Sequence, residues 1–294
     1  MERILNKEDW FFEYFTEYAK FGIKIKEHLA DTKSDFQKID FYDSYEYGRF
    51  FTLDGYIMIT QKDEFIYHEM IVHVPMAVCK NARRVLIIGG GDGGTVRELT
   101  RYAGIEHIDL VEIDEKVIDL CKEYFPQTAC KLDDERVQIH VCDGIEYVKN
   151  NTQTYDLILV DSTDPIGVGE GLFTLDFYKD CYALLNAQGV LINQHESPYY
   201  ENDAKQMVRA HEKLSKVFEL CRVYQFHMPT YASGHWLFGF ASKGIDPIKD
   251  LDEKAWNALG LQTRYYNTDL HKGCFCLPNY VLELLNQPQK EDAR

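Results

Sequence analysis

The sequence predicts an α/β protein: a small antiparallel β unit followed by a mainly parallel sheet covered by helices on both faces. Three observations carry that expectation. Short alternating runs separated by turn signals fill the stretch up to about Phe65. Beyond it, fully apolar runs of strand length alternate with helical stretches, the pattern of a parallel sheet buried on both sides. The last two apolar runs are joined only by the segment around Pro229–Gly234, too short for a parallel crossover, so the final strand should run antiparallel.

Taken in order, residues 1–20 carry the aromatics Trp10, Phe11, Phe12, Phe15 and Tyr18 in no periodicity that assigns an element. Bursts at Gly22–Lys26, Phe36–Phe41, Arg49–Leu53 and Tyr56–Thr60 read as hairpin strands, with Asp54-Gly55 as a turn. Tyr67, Ile71, Val74 and Val78 recur at helical spacing, which predicts an amphipathic helix with one apolar stripe. Pro75 should bend or break it. Strands follow at Arg84–Gly89, His107–Ile113, Arg136–Val141, Tyr155–Asp161, Gly189–His195, Leu220–His227 and His235–Ala241. Helices are expected at Thr95–Tyr102, Glu115–Tyr124, Leu175–Leu185 and Asn202–Leu214. Six parallel strands and one reversed strand form the class I methyltransferase-like, Rossmann-like sheet. The expected division is an N-terminal β-hairpin domain, 1–65, and a Rossmann-like catalytic domain, 66–294.

Composition narrows the function. Hydrophobic residues make up 45% of 294, enough for a sizeable core. A formal charge of −16 argues against a nucleic-acid partner and suits a small cationic one. No apolar run approaches the roughly 20 residues that span a bilayer, so no membrane association is expected. Met1–Trp10 has neither the basic nor the apolar region of a signal peptide. The 8 cysteines form no C-x-x-C pair, and Cys274 and Cys276 match neither zinc nor redox spacing. Cys79, Cys121 and Cys221 fall on faces that read as buried, so reduced thiols in the cytoplasm are expected. The scattered histidines make no ligand cluster, and no metal is expected.

The chemistry concentrates at the strand ends. The loop Gly89-Gly90-Gly91-Asp92-Gly93-Gly94 satisfies G-x-G-x-x-G, and Glu112 ends the next strand where a ribose-binding acid would sit. Asp143-Gly144 and Asp161-Ser162-Thr163-Asp164-Pro165 end the third and fourth strands. A single acid there is often only a helix cap. Asp92, Glu112, Asp143, Asp161 and Asp164 together point to one acidic crevice at the carboxyl edge of the sheet. A dinucleotide pyrophosphate on this loop would meet Asp92 at close range and be repelled. The carboxylate of S-adenosylmethionine meets the same difficulty. Decarboxylated S-adenosylmethionine, which carries only a sulfonium and an ammonium, does not.

The strings Leu53-Asp54-Gly55, Asp63–Met70, Gly89–Gly94, Asp161–Pro165, Pro229–Gly234 and Thr263–Asn267 resemble the spermidine synthase family of polyamine aminopropyltransferases, over residues 20 to 286. The resemblance implies aminopropyl transfer from decarboxylated S-adenosylmethionine, as co-substrate with no tightly bound cofactor, to putrescine or a similar diamine. It implies a homodimer or a dimer of dimers. It places Gln37, Asp92, Glu112, Asp143, Gly144 and Val168 around the donor, and Tyr67, His68, Asp92, Asp161, Ser162, Thr163, Asp164 and Tyr231 around the polyamine. Asp161 takes the role of proton acceptor, and Ser162–Phe173 that of a mobile gatekeeping loop. One departure is Val168, where many relatives have proline, a change expected to loosen that loop.

The chemistry fits those roles. The acceptor amine titrates near 10 and must attack as the free base, so an acid at Asp161 that orients it and takes its proton is required. Glu196 is a candidate partner for the far ammonium. Three rival readings stand beside this one, the first a methyltransferase, separated by comparing the decarboxylated donor with S-adenosylmethionine itself, and the second a polyamine- or methylthioadenosine-sensing protein, which need not keep Asp161. A pyridine-nucleotide oxidoreductase would bind NAD.

Overall fold

The computed structural model describes residues 9–163 and 167–286, without the side chains of Gly167 and Val168. Five strands come first, in the order of the chain: β1 (Trp10–Tyr14), β2 (Lys20–Lys33), β3 (Lys38–Ser44), β4 (Gly48–Leu53) and β5 (Tyr56–Thr60), all antiparallel. The turn between β4 and β5 has Asp54 and Gly55 both at positive φ (50° and 88°), the mirror-image geometry whose twist matches a hairpin. This is the Asp-Gly turn the sequence announced. The sheet is larger than expected, because the aromatic run at Trp10–Tyr14 pairs as an edge strand and β2 extends through Lys33. Bulges at Ile25/Glu27 and His28/Ala30 interrupt the alternation in β2, so its second half does not read as a strand.

Helix α1 (Glu64–Met76) follows. It is not amphipathic: apart from Phe65, every residue is buried, the polar ones included. Pro75 lies in its last turn, where its carbonyl accepts from the N–H groups of Val78 and Cys79 and the helix stops.

The second sheet has seven strands: β6 (Arg84–Gly89), β7 (His107–Glu112), β8 (Val137–Val141), β9 (Tyr155–Asp161), β10 (Leu185–Gln194), β11 (Leu220–His227) and β12 (His235–Ser242). Their spatial order is β11-β12-β10-β9-β6-β7-β8, with β12 antiparallel to both neighbours and the other adjacent pairs parallel. This is the six-plus-one arrangement expected. Alternate residues of the central strands enter different cores: in β6, Val85 and Ile87 pack with α1, whereas Leu86 and Ile88 pack with Phe177 and Tyr178 on the other face. Two-sided burial is why the strands read as unbroken apolar runs.

Helices α2 (Gly94–Leu99), α3 (Glu115–Tyr124), α4 (Pro126–Ala129), α5 (Gly144–Asn150), α6 (Leu175–Leu184) and α7 (Glu201–Ser215) connect these strands, and α8 (Glu253–Ala258), α9 (Thr268–Cys274) and α10 (Asn279–Asn286) follow the sheet. Asp114, Asp143, Thr174, Asp252 and Asn267 cap their helices through side-chain oxygens. Cys79 and Cys121 are buried as expected, and Cys221 is half-buried. No described helix is long and apolar enough to cross a membrane.

The first sheet docks on the second through α3, where Phe41, Phe51 and Ile59 meet Val117, Cys121 and Phe125. At the opposite end of the chain, the buried Glu69 carboxylate of α1 accepts the backbone N–H groups of Arg264 (2.8 Å), Tyr265 (2.7 Å) and Tyr266 (2.8 Å). Three charge-assisted bonds from one bend make Glu69 the anchor of the segment after β12. We expect Glu69→Ala to lower unfolding free energy by roughly 2–4 kcal/mol. A denaturant melt showing less than about 1 kcal/mol would contradict this anchoring.

Candidate active site

Strand β6 is flanked by β7 on one side and β9 on the other, so connections diverge at its carboxyl end. In the register there, Gly89 lies opposite Asp161. The loop that follows makes the crevice. Gly89 and Gly90 both adopt positive φ, 84° and 73°, and a Cβ on Gly89 would fall 2.1 Å from the Asp161 carbonyl oxygen. Only glycine lets the loop turn this close to β9. A cavity of about 380 Å³ opens above these strand ends, bounded on its far side by β1, β4 and β5.

Its donor-like half lies over β6 and β7. The Glu112 carboxylate accepts from the N–H groups of Asp114 (2.9 Å) and Gly91 (3.2 Å). Burial nevertheless pushes this carboxyl up to about 7, against the lowering effect of those backbone donors. Asp143 and Gly144 also line the cavity, and Asp143 accepts from Ile145 N (2.7 Å) as the cap of α5. It is therefore a helix cap and a cavity acid at once. Gln37, just before β3, lines the cavity while its amide donates to Asp114 Oδ2 at 3.0 Å.

The other half is more acidic. Asp161 accepts from Thr95 Oγ1 at 2.6 Å, and the Tyr67 hydroxyl is directed at it. Burial and the neighbouring Asp92 raise the Asp161 carboxyl above the ordinary carboxylate range, although His68, Thr95 and Tyr67 pull the other way. Burial, with Asp161 next, in turn pushes the Tyr67 phenol well up, so it stays a neutral donor. Asp92 accepts from Gly94 N at 2.8 Å. His68 is part of the wall, but its Nδ1 lies 2.6 Å from Glu64 Oε2 and its Nε2 3.2 Å from Asp92 Oδ1. The second contact is an ion pair rather than a well-aligned hydrogen bond. Burial alone would depress this imidazole, yet Asp92 and Glu64 outweigh it and push it up to about 10. The ligand atoms of His68, Asp92 and Asp161 lie within 4.8 Å of one another, compact enough to hold a cation.

Tyr231 lines the cavity, with its ring 6.2 Å from that of Tyr67 and its hydroxyl donating to the Met58 carbonyl. Ser162 and Thr163 line it too, the Ser162 hydroxyl donating to Thr163 O at 3.1 Å. Asp164 and the side chain of Val168 lie outside the described residues. Within the expected gatekeeping segment, Gly167–Phe173 is a 3-10 turn from which Gly169 and Leu172 reach the cavity. Glu196 is buried at positive φ (66°) and is not among the lining residues; Gln194, two positions earlier, is.

Several lining or supporting residues escaped sequence reasoning: Glu13, Thr95, Asp203, Trp236 and the Glu64 behind His68. Glu13 lies in the aromatic run that showed no period, and Trp236 reads as core. Thr95 follows the glycine loop directly, and a hydroxyl residue there is the one signal that was available. Six carboxylates (Glu13, Asp92, Glu112, Asp143, Asp161 and Asp203) line the cavity, and among the described lining residues there is no Lys or Arg.

Comparison with known proteins agrees with this layout. A model described as Spermine/spermidine synthase domain matches residues 64–252, and one described as Spermidine synthase tetramerisation domain matches 9–61. This chain belongs to the spermine/spermidine synthase family. Relatives named polyamine aminopropyltransferase include that of Clostridium beijerinckii, 60% identical over 95% of this chain and 98% of its own length. That of Alkaliphilus oremlandii is 60% identical over 96% and 100%. Among solved structures, a spermidine synthase in complex with the transition-state analogue AdoDATO superposes with TM-score 0.92 at 42% identity, covering 95% of this chain and 96% of the other. The spermidine synthase of Thermotoga maritima superposes at TM-score 0.90, also 42% identical, over 94% of each chain. The family match therefore extends across both sheets and the cavity between them.

The raised Glu112 carboxyl sets a pH dependence. A nucleoside whose ribose hydroxyls donate to Glu112 binds the ionised form, so below about 7 binding must first release a proton. Methylthioadenosine affinity is expected to rise about tenfold per pH unit toward 7 and to level off above it. Calorimetric titration across this range checks it, and Glu112→Gln should flatten the curve; a flat wild-type curve would rule the assignment out.

Proposed function

We propose that this protein is a polyamine aminopropyltransferase that converts putrescine to spermidine, with decarboxylated S-adenosylmethionine as donor and methylthioadenosine as second product. The observation that carries this reading is the cavity wall of six carboxylates without Lys or Arg among its described residues. Such a wall attracts ligands that are positive throughout and repels pyrophosphate and amino-acid carboxylate alike.

In this reading Gln37, Glu112, Asp143 and Gly144 hold the nucleoside, Glu112 on the ribose and the Asp143-Gly144 pair on the adenine. Val168, from the gatekeeping segment, contacts the nucleoside. Asp92 sits at the amine ends of both substrates, with His68 behind it. Tyr67 and Tyr231 present ring faces to the polyamine, a cation–π attraction of roughly 0.5–2 kcal/mol each. Asp161, with Ser162 and Thr163 after it in the cavity wall, receives the attacking end of the diamine, and Asp164 is a further acid assigned to the polyamine. Its raised carboxyl suits a base better than an ordinary carboxylate would.

The step then balances simply. The acceptor amine attacks the propyl carbon next to the sulfonium, the new C–N bond forms, and the C–S electron pair leaves on sulfur as neutral methylthioadenosine. Asp161 takes the proton lost by nitrogen. Holding both substrates in one cavity supplies the orientation for in-line displacement. No tightly bound cofactor takes part.

We assign the working form to a homodimer or dimer of dimers built through the first sheet. Tyr18 and Tyr45, 90% and 65% exposed, lie on the segment matched by the tetramerisation model and support this. All eight cysteines are free, which favours the cytoplasm.

Asp161→Asn is expected to lower turnover at neutral pH by at least about a hundredfold while leaving methylthioadenosine binding within a few-fold. A fully active, folded Asp161→Asn enzyme would remove the proton-acceptor role. Assaying putrescine, cadaverine, agmatine and spermidine with the decarboxylated donor tests the acceptor, and a preference for S-adenosylmethionine itself would favour methyl transfer instead.

A further inference from the structure

We infer that Glu64 and Arg97 are positioning residues for this reaction: they fix the His68 ring as a buried cation behind Asp92 and so set the charge of the amine end of the cavity. The inference rests on the function proposed above.

The placement of a carboxylate at each ring nitrogen carries it. The Nδ1 and Nε2 of His68 lie 2.6 and 3.2 Å from oxygens of Glu64 and Asp92. Carboxylates only accept, so a ring facing one at each nitrogen holds a proton on both. No ring nitrogen remains for a ligand, and His68 acts on the substrate only through Asp92. The ring is also held in place. A Cβ on Gly94 would come within 2.2–2.4 Å of three of its atoms, so the loop backbone lies directly against it.

Glu64 is fixed in turn. It shares α1 with His68, four residues away on the same helix face. Arg97 of α2 grips both its oxygens, Nη1 to Oε1 at 2.9 Å and Nη2 to Oε2 at 3.0 Å. The guanidinium is held from behind by Glu98 Oε1, 3.0 Å from Nε. Charges therefore alternate from Glu98 through Arg97, Glu64 and His68 to Asp92, and the next position in that series is the substrate ammonium.

Around His68 the titratable and charged groups are Glu64 and Tyr67 on α1, Asp92 on the glycine loop, Asp161 at the end of β9 and Arg97 beyond Glu64. Two enclosed acids, Asp92 and Asp161, beside one another favour protonation of one of them. A fixed cation behind Asp92 offsets that repulsion and leaves Asp161 free to accept a proton from the amine.

The test uses the full-length enzyme and two readouts. Nitrogen-15 histidine NMR, with the His68 signals assigned by their absence in His68→Gln, should show a doubly protonated ring that does not titrate between about pH 6 and 8. In Glu64→Gln the ring should be neutral at the upper end of that range. The acidic limb of the kcat/KM profile should move up by about one pH unit, with kcat on the plateau within a few-fold, and Glu64→Asp should restore part of the shift. Wild-type His68 titrating near its ordinary 6.5, or a Glu64→Gln enzyme that only melts earlier with its acidic limb unmoved, overturns the inference. If Glu64→Gln does not fold, His68→Gln, which removes the charge behind Asp92, should move the acidic limb up in the same direction whatever its plateau kcat; an unmoved limb there overturns the inference equally. Absence of any amine turnover by the wild type would instead refute the proposed function, and the NMR titration would still decide the state of His68.

Discussion

Negative charge enclosed where two parallel strands diverge is the constraint to which the rest of the site answers. At an effective dielectric of 20, two unit charges 4 Å apart repel by about 4 kcal/mol, a sizeable part of the stability of a typical domain. Asp92 and Asp161 meet across the loop after β6, and nearly every polar neighbour is turned toward them. Thr95 and Tyr67 aim hydroxyls at Asp161, Gly94 gives its N–H to Asp92, and His68 stands behind as a cation. The remaining deficit of positive charge is what a cationic ligand supplies. Affinity for amines is thus a by-product of making the empty site tolerable.

The same loop disposes of the commoner ligands of this sheet. In dinucleotide-binding relatives of the architecture, backbone N–H groups of a glycine-rich turn face a pyrophosphate. Here two of those N–H groups are already committed, Gly91 to Glu112 and Gly94 to Asp92. The turn is conformationally similar and electrostatically inverted. A G-x-G-x-x-G string therefore says where a nucleoside goes, while the residue in its second variable place, here Asp92, says what may follow the ribose.

Legibility followed the physics of each part. The central strands of the second sheet, such as β6 and β9, were readable because both their faces are buried and their sequence is almost wholly apolar, whereas the edge strands β8 and β11 carry polar residues and are only partly buried. Strand β1 was not, since a half-exposed edge strand made of aromatics has no clean alternation, and the bulged half of β2 breaks its own period. Helix α1 misled in an instructive way: its polar residues looked solvent-facing but Glu64, His68, Glu69 and His73 are all buried and paired. Propensity and periodicity price a charged residue as exposed and see no partner 30 residues away in sequence, such as Arg97 for Glu64. Strand-end acids were legible as a group, whereas the sequence cannot separate a cap from a ligand acid, and Asp143 occupies the position of both. Thr95 and Glu13 were missed because a lone hydroxyl or carboxylate has no pattern to betray it.

The first sheet contributes more than a surface. Asp114 caps α3 through Lys116 N and accepts from Ser34 Oγ at 2.6 Å and Gln37 Nε2 at 3.0 Å. It stands two residues from Glu112, whose second oxygen is tied to the Asp114 N–H. One carboxylate therefore ties the β2–β3 turn, the start of α3 and Glu112 together. Movement of the first sheet away from α3 would cost the Phe41–Phe125 contact and also release Gln37 and loosen Glu112. The side of the cavity that joins Gln37 to Glu112 is complete only while the two sheets are docked. On the function proposed, docking and donor recognition become a single equilibrium, in which a bound nucleoside stabilises the interface between the sheets by the same free energy that the interface contributes to binding.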